Sequence, residues 1–156
     1  MKMQSDKSKP NVKQAVPFFA VADMARSLRY YADGLGFEIK LTWTPRGKIE
    51  WCWLERGGAA LMLQEARAEG GDAWRPQGKV GEGVSICFIC EDALALYHEF
   101  LTRGIPASEP FVGNRMWVAE LTDPDGYNLC FESATEVPEE TKLSEWKAKT
   151  AAEGKV

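Results

Sequence analysis

One histidine, His98, stands in the whole sequence, and that scarcity removes several kinds of chemistry at once. A Ser-His-Asp set needs a histidine held between a nucleophile and a carboxylate. His98 falls beside Glu99 at the margin of an apolar helix stripe, and no G-x-S-x-G elbow accompanies it. It reads as a half-exposed helix residue rather than a ligand or a catalyst. No phosphate-cradling glycine loop is present either, because Gly57-Gly58 and Gly70-Gly71 read as turn and linker glycines. Clustered lysine and arginine are also missing. With 19 basic against 23 acidic residues and a net charge of −4, the chain offers no footprint for phosphates, which argues against nucleic acid as a partner. No apolar run reaches the length of a membrane span, and Met1-Lys-Met-Gln-Ser-Asp lacks the apolar region of a signal peptide. No membrane partner and a cytoplasmic location are the expectations.

Cysteine is sparse: Cys52, Cys87, Cys90 and Cys130, all inside predicted strands. Cys87-x-x-Cys90 resembles a redox or zinc pair on paper. On a strand, however, residues three apart point to opposite faces, so one ion or one disulfide does not readily use both. With no second CxxC, the thiols read as small apolar fillers in a reducing compartment, and no metal is expected.

What the chain does contain is the profile of a globular domain: 156 residues, 45% apolar and 27% charged, enough for one sizeable core. Within it the same pattern occurs twice. Val16-Pro-Phe-Phe-Ala-Val-Ala-Asp23 and Ser85-Ile-Cys-Phe-Ile-Cys-Glu-Asp92 are each an apolar run ending in Asp, followed by an amphipathic stretch closing on glycine. The first gives a strand from Val16 to Ala22, an Asp23 N-cap, and a helix with Met24, Leu28, Tyr31 and Leu35 on one face. Strand Phe37–Trp43 follows, then a hairpin of Ile49–Glu55 and Ala59–Gln64. The second gives strand Ser85–Cys90, an Asp92-capped helix, and strands Ala107–Phe111, Met116–Leu121 and Tyr127–Glu132. The Asp123-Pro-Asp-Gly126 turn joins the last two. Each half reads β-α-β-β-β. We divide the chain into an arm at 1–14, a domain at 15–133 (modules 15–66 and 83–133, linker 67–82) and a polar tail or short helix at 134–156.

Two βαβββ units of this kind resemble the vicinal oxygen chelate superfamily, which includes glyoxalase I, bleomycin-resistance proteins, fosfomycin-resistance enzymes and extradiol dioxygenases. Ala22-Asp-Met-Ala-Arg-Ser-Leu-Arg-Tyr-Tyr31, Gly34-Leu-Gly-Phe37 and Thr122-Asp-Pro-Asp-Gly-Tyr127 carry the resemblance, which runs from about Ala15 to Ser133. It implies an α+β fold, two tandem βαβββ modules forming a curved, partly open eight-stranded sheet around a cleft. It also implies a homodimer, with the segment around Trp146 packing on the partner or left as a tail. In metal-using relatives four positions hold an ion; here they fall on Val16, Met62, Ser85 and Cys130. None is His, Asp or Glu, so the resemblance is strongest to the metal-free bleomycin-resistance type, and no cofactor is expected.

Strand alternation from those four positions gives a pocket face. Phe18, Trp51, Trp53, Met62, Gln64, Ser85, Glu120, Cys130 and Glu132 are the candidate ligand-binding residues, with Cys87 and Val118 on the same face. Aromatic faces beside carboxylates suit a cationic aromatic small molecule. The expected function is therefore metal-independent binding, sequestering a bulky compound such as a glycopeptide antibiotic, with no catalytic residue. The alternative is a glyoxalase- or dioxygenase-like enzyme with a displaced metal or acid/base site.

Overall fold

Residues 9–67 and 74–154 are described in a computed structural model of the chain. Residues 1–8 of the expected arm, and Gly70-Gly71 of the linker, lie outside them.

The sequence repeat becomes a structural one. The first half comprises β1 (Phe18–Val21), α1 (Met24–Leu28), β2 (Glu38–Trp43), β3 (Trp51–Arg56) and β4 (Ala59–Glu65). The second comprises β5 (Ser85–Ile89), α2 (Ala93–Thr102), β6 (Phe111–Gly113), β7 (Met116–Thr122) and β8 (Asn128–Ala134). The sheet orders are β1-β4-β3-β2 and β5-β8-β7-β6. In each, the first and last strands pair in parallel and the remaining pairs are antiparallel. The class is α+β, and the eight strands divide into two open four-stranded sheets rather than a closed barrel.

Both helices begin where the sequence places them. Asp23 accepts a hydrogen bond from the Arg26 amide at 3.1 Å, and Asp92 accepts one from the Ala95 amide at 2.9 Å. Each satisfies a backbone donor that the helix cannot. The first helix departs from the expected 3.6-residue period after Leu28, where Arg29–Gly34 widens into a π-helical turn and the Leu35 amide reaches back to the Tyr30 carbonyl at 2.8 Å. The wider turn buries two consecutive aromatics, Tyr30 and Tyr31. Gly36 then reverses the chain at φ +78°, where an added Cβ would lie 2.6 Å from the Arg56 guanidinium.

The two halves join through the helix-side faces of their strands. Phe19 stacks on Tyr127 with centroids 4.1 Å apart, and Phe37 meets Phe88 edge-on at 5.7 Å. Tyr31 donates to Asp123 Oδ2 at 2.7 Å, while Asp123 Oδ1 takes the amides of Asp125, Gly126 and Tyr127. Across the pseudo-symmetric contact, Arg56 donates to Glu99 at 2.8 Å and also to the Leu35 carbonyl.

One strand differs from expectation. The strand expected at Ala107–Phe111 starts at Phe111, because Pro106 and Pro110 bring no N–H to a ladder. The polar tail contains a short helix, α3 (Leu143–Ala152), seated on the second module. Leu143 is buried and Trp146 packs edge-on to Trp117 at 5.8 Å. Among the described residues no helix is long and apolar enough to cross a membrane.

Candidate ligand-binding site

Directly paired residues in a sheet share a face, and the pairing builds two contiguous rows on the first sheet. Phe18, Met62, Trp53 and Leu41 form one row across all four strands; Ala20, Gln64, Trp51 and Trp43 form the next. Glu55 stands on the same face two residues beyond Trp53 and accepts its indole N–H at 2.8 Å. Trp74, from the segment between the halves, lies against Phe18 with centroids 4.5 Å apart. The surface is aromatic with a carboxylate at its edge, and its outer strand is open: Leu41 is 59% exposed and Trp43 46%.

The second sheet presents the matching rows with different chemistry. Cys87, Cys130 and Glu120 pair across β5, β8 and β7; Ser85, Asn128 and Thr122 form one neighbouring row, and Ile89, Glu132 and Val118 the other. Cys130 Sγ lies 3.4 Å from Glu132 Oε1 and 3.8 Å from Ser85 Oγ. Burial pushes the Cys130 thiol well above the usual range, with the neighbouring Cys87 acting in the same direction. Ser85, Glu120, Thr122 and Asn128 line a cavity of about 690 Å³, with Val84 and Ala107 at its sides.

The nine candidate residues share one face within each sheet, five on the first and four on the second. What the sequence reading did not anticipate is their relation to the junction between the halves. The halves are held together by the opposite faces of these strands, through Phe19, Phe88 and Phe131 among others. Leu41 and Trp43 join this face from β2, whose facing is set by no equivalent position in the sequence; a bulge between Ile39 and Leu41 shifts its register against β3. Trp74 lies in a stretch without periodicity, so nothing local marked it. Cys87 was read with Cys90, yet its strand neighbour is Cys130.

The four positions that the resemblance assigns to a metal do not fit one. Val16 carries no donor and Met62 only a thioether, while Ser85 is a neutral hydroxyl. All four cysteines are free thiols.

Two open four-stranded sheets, each built from one βαβββ unit with its first and last strands parallel, define an α+β fold of tandem modules. The chain belongs to the glyoxalase/bleomycin resistance protein/dioxygenase superfamily, whose family profile matches residues 13–131. Solved structures share the fold at low identity. A bleomycin-binding protein complexed with bleomycin has 21% identity and a TM-score of 0.60, covering 80% of this chain and 100% of its own. TioX from Micromonospora sp. ML1 has 15% identity and a TM-score of 0.60, covering 81% and 99%. TnmS3, an antibiotic binding protein from Streptomyces sp. CB03234, has 20% identity and a TM-score of 0.59, covering 79% and 98%. No curated protein matches the chain by sequence.

Proposed function

We propose that this chain is a cytoplasmic, homodimeric binding protein that sequesters a bulky, partly cationic aromatic small molecule without a metal mediating the contact. The row of Phe18, Met62, Trp53 and Leu41 carries this reading. It is a wide aromatic face with Glu55 beside it; the second sheet carries Glu120 and Glu132 on its own outward face. Aromatic faces attract cations through their quadrupole, and carboxylates beside them add charge and acceptors. Such a combination suits a planar cationic ligand better than an anionic one. The four free thiols accord with a reducing compartment. Relatives of this fold described as bleomycin-binding and antibiotic-binding make that ligand class the first to try.

The test is a tryptophan-fluorescence titration of chelator-treated protein with metal-free bleomycin. Saturable quenching at micromolar concentration or below is expected. Trp53→Ala should weaken binding by roughly tenfold, the loss of about 1.4 kcal/mol of stacking and cation–π attraction. Glu120→Gln should weaken it several-fold while leaving the thermal midpoint in place, since Glu120 is exposed. A flat titration removes bleomycin as the ligand, and unchanged affinity in both variants removes this surface as the site.

A further inference from the structure

We propose that Cys87, Cys130 and Glu132 form a binding site for a thiophilic divalent cation, Zn²⁺ or Cd²⁺, built wholly within the second half of the chain. Cys87 and Cys130 are directly opposed on the parallel strands β5 and β8, and Glu132 lies two residues further along the same face. One donor atom from each lies within 4.8 Å of the others, and Cys130 Sγ is 3.4 Å from Glu132 Oε1. A tetrahedral zinc ion with Zn–S of about 2.3 Å and Zn–O of about 2.0 Å needs S···S of about 3.8 Å and S···O of about 3.5 Å. The set therefore needs only side-chain adjustment on two adjacent strands to close around an ion.

The donor chemistry selects the cation. Two sulfurs and one carboxylate favour zinc or cadmium over magnesium or calcium, which take oxygen ligands. Three protein ligands leave a fourth position, and Cys87 is exposed, so that position opens to solvent. Ser85 Oγ lies 3.8 Å from Cys130 Sγ. The site is not the one implied by the resemblance, whose four positions are divided between the halves; only Cys130 is common to both. Nor does it depend on the organic-ligand reading, because it uses none of the aromatic wall. It does consume Glu132, so a bound cation is expected to weaken binding of a positively charged molecule at that face.

The experiment uses the full chain, reduced with a non-chelating phosphine and stripped of metal. Co²⁺ is titrated in and followed by its thiolate-to-metal charge-transfer absorption, then displaced with Zn²⁺. One equivalent per chain, with the intensity of two thiolate ligands, is expected. Cys87→Ser should halve that intensity and weaken Zn²⁺ at least tenfold; because Cys87 is exposed, this variant does not threaten folding. Glu132→Gln should keep the absorption but weaken affinity to a similar degree. Cys52→Ser and Cys90→Ser should change neither. Absence of charge transfer in the parent protein, or a signal untouched by Cys87→Ser, overturns the proposal. Neither result bears on bleomycin binding, which is read separately on metal-free protein.

Discussion

Asp123 shows how much one residue can organise. One carboxylate oxygen gathers three successive amides of its own turn, and the other takes the phenol of Tyr31 from the opposite half. The turn was legible in the sequence, because Asp-Pro-Asp-Gly has local chemistry that needs no tertiary partner. The Tyr31 bond was not, since nothing in a linear pattern couples residues so far apart. Tyr31→Phe removes the donor and leaves a buried acceptor short of a partner, so a loss of about 1–3 kcal/mol is expected. Thermal denaturation of the two proteins side by side gives the measurement.

At the scale of elements, the second half returns the contact. Arg56, at the end of β3, bonds Glu99 on α2 at 2.8 Å. That hydrogen bond, followed by the attraction of the Arg56 and Arg103 charges, holds the Glu99 carboxyl below the usual glutamate range. The sign follows directly. A carboxylate with a lowered folded value contributes its full stability above the ordinary glutamate pKa and loses it as pH falls through the lowered value. Because both partners are partly exposed, the contribution is about 1 kcal/mol or less. Glu99→Gln should be less stable near neutrality and should converge with the parent in acid, as urea midpoints measured across that range would show. Periodicity gave the helices and their caps correctly, because Asp23 and Asp92 act within one turn. It did not give the π-helical turn at Arg29–Gly34: the apolar spacing fits an ordinary helix, and only the demand to bury Tyr30 with Tyr31 distinguishes the two.

For the molecule as a whole, the repeat was the most legible feature, since equal offsets between Asp caps and strands require no knowledge of packing. The strand faces followed from alternation, which is why Trp53 and Glu120 emerge where expected. How the halves meet was not legible, because either face of an apolar strand can bury. The outer strand β2, where Leu41 and Trp43 end the two rows, is the edge at which we expect the proposed homodimer to close. Sedimentation equilibrium should return twice the chain mass for the parent protein and the single-chain mass for Leu41→Asp.

The duplication placed equivalent positions on two sheets, and then those positions diverged. Phe18, Met62 and Trp53 on one correspond to Cys87, Cys130 and Glu120 on the other. One sheet therefore presents an apolar, aromatic surface and the other a surface of thiols and carboxylates. One repeated scaffold has in this way come to carry two unlike surfaces on a single chain.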